Sequence, residues 1–384
     1  MRLVTIRPRV GSAVAASDER VGIWLESGRI LTIGALAEIA RGNLPGEFGR
    51  LSLVALLEMD PGFGAIRRAL ELASAAAIEA AASIDSGSVD LAAPIPRPGK
   101  IVGVGYNYLE HVREQGLARP ARPVLFSMFA NAVVGDGAPV RKPAGTHALD
   151  LEAELAVVIG KRASGVPTAR ALEYVAGYMA ANDVTARDWQ GQAKALRPDE
   201  QGDGQWLRAK GADTFLPLGP CLVTADELGD GRGLAVRSWL TRAADRGAGH
   251  GTAAAGIGVG QGAGHGTAAV GADSAAQADA ADRLDAGLPF RMQDGNTADL
   301  MFGVAELIAI ISAEVTLDPG DVIVTGTPSG VGVFREPPVF LEPGDLVRVE
   351  VARIGSLTSP ITDKDRKAPK GSPAARFLAS VAQV

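Results

Sequence analysis

The stretch 149–160, LDLEAELAVVIG, limits what this chain can fold into more than any other. Leu151, Ala153, Leu155 and Val157 alternate with Glu152, Glu154, Ala156 and Val158. A period of two is that of a β-strand with one apolar face, which puts Glu152 and Glu154 on one side, about 7 Å apart. Two carboxylates beside a core are costly unless something positive neutralises them, and a divalent cation is one candidate. A third carboxylate, Asp183, ends another apolar, strand-like run, 174–181. Three carboxylates without a nearby Cys or His form an oxygen-only set, suited to Mg²⁺, Mn²⁺ or Ca²⁺ rather than Zn²⁺. An E-x-E pair on a strand also occurs at solvated edges and in ion-pair ladders, so spacing alone leaves both readings open.

The 384 residues suffice for one large domain and a small one, and 47% hydrophobic content fills a real core. A net charge of −6 and no basic patch argue against a nucleic-acid partner. Cys221 is the single cysteine, so no intrachain disulfide forms and a reducing compartment suits the composition. The opening MRLVTIRPRV has no apolar signal region, and no run approaches the roughly 18 apolar residues of a membrane span. A cytoplasmic protein with no membrane partner is the expectation.

Residues 1–95 read as a small N-terminal α/β domain with its linker. Short alternating strands are expected at 3–6, 21–25 and 29–33, helices at 36–41 and 65–83, and an extended Pro-rich linker at 92–99. The second domain is expected over 96–362, with a polar tail at 363–384. Within GYNYLEHVRE, the chain turns helical after Asn107, so His111 and Glu114, three residues apart, share a face. A carboxylate beside an imidazole suits a general base, while an exposed polar helix would show the same spacing. VTARDWQ at 184–190, with Arg187 and Gln190, suits a pocket wall or an ordinary loop. Lys210, between apolar residues and Gly211, could present its ammonium to an anionic intermediate or simply be solvated.

Residues 243–287 are mostly Ala and Gly and contain a near-repeat, GAGHGTAAAG at 247–256 echoed by GAGHGTAAVG at 262–271. Such a segment buries too little apolar surface to offset its backbone entropy and reads as a disordered insertion over a surviving hairpin. A helix is expected over 297–312 with Thr297 as a possible N-cap, followed by a buried strand at 322–325. The Gly-rich turn 326–332, GTPSGVG, can bring backbone N–H groups to an anion, although it lacks the Lys and spacing of a P-loop.

Taken together, GYNYLEHVRE, LDLEAELAVVIG, ANDVTARDWQ, KGADTFLPLGP, QDGNTADLMF and GDVIVTGTPSGVG resemble, in that order, the fumarylacetoacetate hydrolase family in its two-domain bacterial branch. The likeness covers about 98–362 apart from the insertion. It implies a mixed α+β, mostly β fold, the family's β-roll, with the small N-terminal domain beside it. It also implies Mg²⁺ or Mn²⁺, with Ca²⁺ as a substitute in crystals, on Glu152, Glu154 and Asp183. His111 and Glu114 would lie on a segment closing over substrate, and Lys210, Gln190, Arg187 and Thr327 would face it. The implied reaction is hydrolysis of a C–C bond in a 2,4-dioxo acid such as an acylpyruvate, with the ion stabilising the departing enolate, His111 activating water and Lys210 facing the oxyanion. A 2-oxo acid hydratase, isomerase or decarboxylase would use the same site, and a non-catalytic metal-binding dimer is a third reading. A homodimer is expected. Met128, where many relatives carry Lys, and Gly135-Asp136-Gly137 in place of a Gly-Pro-Gly turn leave the substrate's tail open.

Overall fold

A computed structural model describes residues 1–9, 19–198, 200, 202, 204–243 and 289–363. At its centre lies the strand Ala153–Ile159, paired antiparallel with Val175–Asn182 on one side and with Val322–Val324 on the other. All seven of its residues are buried, so both faces are covered and the single apolar face expected from the alternation is exceeded. Val175–Asn182 pairs onward with Leu216–Thr224, and Val322–Val324 runs parallel to Ile101–Gly105, whose other neighbour is Val124–Met128. Leu149–Asp150 does not continue the central strand. It turns off to pair with Thr185–Ala186, and Glu152 sits in the break.

The N-terminal strands extend this sheet to twelve. Arg2–Pro8 pairs with Leu216–Thr224, and Arg20–Trp24, Arg29–Thr32 and Ile84–Asp85 follow in order. The stretch 93–100, which includes most of the expected linker, runs between the strands Val89–Ala92 and Ile101–Gly105. One expected helix, 65–83, is instead two, Gly64–Leu72 and Ala75–Ala81. The break falls at Ser74, whose hydroxyl accepts the Ala77 N–H and so starts a new helix where an Ala-rich pattern alone would continue the old one.

A second, five-stranded sheet is built from Phe290–Asn296, Ala235–Thr241, Leu346–Val351, Gly355–Asp363 and Val140–Lys142. In its strands Ala235–Thr241 and Leu346–Val351 the buried residues are Val236, Ser238, Leu240, Val347, Val349 and Val351, at alternate positions as period two requires. The result is the mixed, mostly β architecture expected. Thr297 is not the cap of a long helix: it opens a short 3₁₀ turn, Thr297–Asp299, capped by Asn296, and the helix proper is Val304–Glu314. Its hydroxyl is used elsewhere, donating to Gly231 O and accepting from Leu234 N.

All of the insertion except Ala243, with its two histidines, and the tail from 364 lie outside the described residues. The hairpin that carries the insertion is present, from Ala235 opposite Asn296 to Leu240 opposite Phe290. Its open end is fastened to the roll, because Arg242 Nη1 donates to Phe340 O (2.8 Å) and Asp345 Oδ2 (2.7 Å), and Ala243 N donates to Asp345 Oδ1 (3.2 Å). Deleting 245–287 and closing with Gly-Asn should therefore move the melting temperature by no more than about 2 °C. Calorimetric scans of the two proteins check this, and a drop of about 10 °C would mean that the segment packs on the core. No helix among the described residues is long and apolar enough to cross a membrane.

Candidate active site

Register brings the three carboxylates together. Ala153 lies opposite Asn182, which sets Glu152 and Glu154 beside Asp183 at the point where both strands end, and Asp183 N donates to Glu152 O at 2.9 Å. One carboxylate oxygen from each of Glu152, Glu154 and Asp183 can be chosen so that all lie within 4.8 Å of one another, and all three residues are buried. Two cations share the cluster. Lys210, on the short helix Trp206–Lys210, is 2% exposed and places Nζ 2.9 Å from Glu152 Oε2, 2.6 Å from Asp183 Oδ2 and 2.9 Å from Thr185 Oγ1. Arg187 holds Glu152 Oε1 through Nη1 (2.7 Å) and Asp150 Oδ2 through Nε (2.9 Å).

These cations are spent mainly on Glu152. Burial alone would push its carboxyl up, but the Lys210 ammonium and the Arg187 guanidinium overcome that and hold it at about 2. Burial, with Asp183 and Glu152 as like-charged neighbours, pushes Glu154 well above the carboxylate range. Burial also raises Asp183 to about 6, although Lys210 opposes it. Among the described residues, Lys210 and Arg187 are the cations paired directly with Asp150, Glu152, Glu154 and Asp183, which leaves two formal negative charges without a directly paired cation. Asp183 Oδ1 is buried, with no hydrogen-bond partner among the described residues. A charge deficit of two, an all-oxygen donor set and a partnerless carboxylate oxygen fit a hard divalent ion such as Mg²⁺ or Mn²⁺.

His111 lies on the helix Leu109–Glu114 and is 6% exposed. Its Nδ1 is 2.6 Å from Glu114 Oε1, and its Nε2 is 3.0 Å from Gln115 Nε2. A carboxylate can only accept, so the neutral ring carries its proton on Nδ1 and leaves Nε2 as the acceptor. That is the tautomer a general base needs. Gln115, four residues after His111, was not read from the sequence, although its spacing on the helix was available.

The Gly-rich turn binds anions as expected, but these anions are the protein's own. Gly326 N donates to Glu154 Oε2 (2.7 Å), Gly330 N to Glu114 Oε2 (3.1 Å), and Gly332 N and Val333 N to Asp150 (2.8 and 3.0 Å). Gly326 has φ of +96°, and a Cβ there would lie 2.9 Å from Asn107 Cβ, so only glycine brings this N–H to Glu154. Thr327 Oγ1 donates to Ala153 O (2.9 Å) and accepts from Gln293 Nε2 (2.7 Å).

One cavity of about 90 Å³ is lined by His111, Gln115, Glu152, Glu154, Arg187, Gln190, Lys210 and Thr327. Asp183 and Glu114 stand behind it, bonded to Lys210 and to His111. Arg187 Nη2 is buried and has no hydrogen-bond partner among the described residues. The opposite wall is aromatic: Tyr106, Phe126 and Trp206 meet edge-to-face at 5.7 and 5.4 Å, and Lys210 Nζ is 5.0 Å from the Phe126 ring centre. Tyr106 adopts φ of +56°, a conformation that a non-glycine residue holds only where its surroundings compel it. Sequence reading missed Tyr106, Phe126 and Trp206, because nothing local distinguishes them from core aromatics. Met128, 4% exposed, is paired with Ile101 and is not among the lining residues.

Residues 100–362 match the family model described as fumarylacetoacetate (FAA) hydrolase C-terminal. The chain belongs to the fumarylacetoacetate hydrolase family. It is 36% identical over 303 residues to the mitochondrial oxaloacetate tautomerase fahd2 of Xenopus laevis, covering 77% of this chain and 78% of that one. Among solved structures, the 5-carboxymethyl-2-hydroxymuconate delta-isomerase of Mycobacterium smegmatis is 34% identical, with a TM-score of 0.51 over 72% of this chain and 82% of that one. The fold, at TM-score 0.62 over 94% of this chain and 99% of the other, is also that of a maleylpyruvate hydrolase from Sphingobium sp. SYK-6 that is 24% identical and was solved with manganese and pyruvate. Relatives of these hydrolase, isomerase and tautomerase types act on small oxo acids.

Proposed function

We propose that this fumarylacetoacetate hydrolase family member is a Mg²⁺- or Mn²⁺-dependent enzyme that moves a proton next to the 2-oxo group of a small oxo acid, as in keto–enol tautomerisation of oxaloacetate. The observation that carries this reading is that His111 opens on the same cavity as Glu152, Glu154 and Arg187. The identity to an oxaloacetate tautomerase over three quarters of both chains supports the substrate class.

The ion, held by Glu152, Glu154 and Asp183, would supply Lewis acidity that favours the enolate form of the oxo acid. His111 accepts the carbon-bound proton at Nε2 and returns it to oxygen, while Glu114 stabilises the imidazolium that forms in between. Arg187 Nη2, a buried donor without a partner, and Gln190, which accepts from Arg187 Nη1 at 3.1 Å, receive the substrate carboxylate. Lys210 contributes positive charge where oxyanion character develops, and Thr327 closes the cavity floor.

Hydrolysis of a C–C bond in a 2,4-dioxo acid is a second reading, in which the same Nε2 takes its proton from water. The Gln115 amide beside Nε2 favours it, since the two groups together can hold a water molecule. Ultraviolet assays with Mn²⁺ separate the two. Faster conversion of enol-oxaloacetate to the keto form is expected, whereas cleavage of acetylpyruvate with no effect on oxaloacetate would replace the first reading by the second.

Lys210→Met should lower turnover about 10²-fold, the loss typical of one removed oxyanion partner. Manganese affinity should change by no more than a few fold, because losing the ammonium loosens Glu152 and Asp183 while it makes the cluster more negative. Steady-state kinetics and calorimetry on the same sample check both, and unchanged turnover would place Lys210 outside the chemistry.

A further inference from the structure

Asp150 joins the two halves of the site. It is 0% exposed and not a member of the carboxylate trio. Its Oδ1 accepts from Leu151 N and Gly332 N, both at 2.8 Å, and its Oδ2 accepts from Val333 N at 3.0 Å and Arg187 Nε at 2.9 Å. Four donors on one buried carboxylate fix it in place, and the fourth passes that placement on. Arg187, held at Nε by Asp150, presents Nη1 to Glu152 Oε1 at 2.7 Å. A guanidinium is a planar fork, so fixing one nitrogen fixes the direction of the others.

The other end of the connection is the turn 330–333. Gly332 brings its N–H so close that a Cβ would stand 2.6 Å from Asp150 Oδ1 and 1.9 Å from Val339 O. The same turn donates Gly330 N to Glu114, the carboxylate that orients His111. One short backbone segment is thus gripped by two carboxylates, one leading through Arg187 to Glu152 and the other leading to His111.

We infer that Asp150 is a positioning residue that sets Arg187, and through it Glu152, for metal binding, and that the turn 330–333 keeps this arrangement in register with the His111–Glu114 pair. The inference rests on the reading of Glu152 as a metal ligand. Replacing an outer carboxylate of this kind weakens metal affinity or activity by about 10- to 100-fold. Asp150→Asn keeps the shape and an acceptor oxygen but removes the charge that holds Arg187.

The test is calorimetric titration of Mn²⁺ into wild type, Asp150→Asn, Arg187→Met and the double variant. Asp150→Asn should raise the Mn²⁺ Kd about tenfold or more, and the double variant should be no worse than Arg187→Met within about twofold, because the two residues act in series. Unchanged affinity in Asp150→Asn, or effects that multiply in the double variant, overturns the inference. Arg187→Lys provides an independent arm should Asp150→Asn not fold, since one ammonium cannot serve Asp150 and Glu152 from separate nitrogens. A tenfold weaker Kd supports the inference, and a wild-type Kd overturns it. Failure of the wild type to bind Mn²⁺ would instead remove the metal reading, and this inference with it.

Discussion

Glu154→Gln should reduce turnover on any oxo-acid substrate by at least about 10³-fold while the protein stays folded. Glu154 is 2% exposed, accepts the backbone N–H of Gly326, and stands beside Asp183 and Glu152 with no direct ion pair among the described residues. Burial and those two neighbours make it the least compensated member of the cluster, so it depends most on an added positive ion. A neutral amide of the same shape relieves the repulsion and removes one anionic donor of three. The melting temperature without metal should consequently hold or rise, while Mn²⁺ affinity collapses. Thermal scans with and without Mn²⁺, alongside kinetics, check this pair of opposite signs. A variant that binds Mn²⁺ as wild type does would take Glu154 out of the ligand set.

His111→Ala should cost about 10²- to 10⁴-fold in turnover, as expected for a lost general base, with Mn²⁺ affinity unchanged to within a few fold. The imidazole makes its polar contacts with Glu114 and Gln115 and none with the three carboxylates, so its removal leaves the ligands in place. Glu114→Gln should show a smaller loss of the same kind, because the ring keeps a partner at Nδ1 but loses the charge that stabilises its protonated form. Wild-type turnover in His111→Ala would make the pair a structural couple.

The parts of this site legible in the sequence are those whose geometry is local. A three-residue spacing on one helix brings His111 to Glu114, and two apolar strands ending in Glu152, Glu154 and Asp183 announce a carboxylate cluster wherever those strands meet. What spacing could not give was the pairing that joins them. Lys210 reads as an isolated cation and turns out to hold Glu152, Asp183 and Thr185 together. The turn 326–332 reads as a seat for a ligand anion, yet its N–H groups go to Glu154, Glu114 and Asp150, which lie 172 or more positions away from their donors. Asp150 itself reads as one more polar residue in LDLE, because nothing nearby reveals that the chain leaves the central strand there to meet Thr185–Ala186. In the N-terminal part, the Ala-rich run 65–83 carried a strong helix signal that hid a single serine hydroxyl able to restart the helix.

The proposed service of the negative charge on Glu152, Glu154 and Asp183 to a divalent ion on which turnover depends is tested most directly by stripping the purified protein with excess chelator, titrating Mn²⁺ back by calorimetry and following oxaloacetate enolisation at each addition. The stripped protein should show no enzymatic rate, and recovery should saturate at one ion per chain in step with the calorimetric isotherm. Full turnover after stripping, or binding that brings no activity, would contradict the proposal.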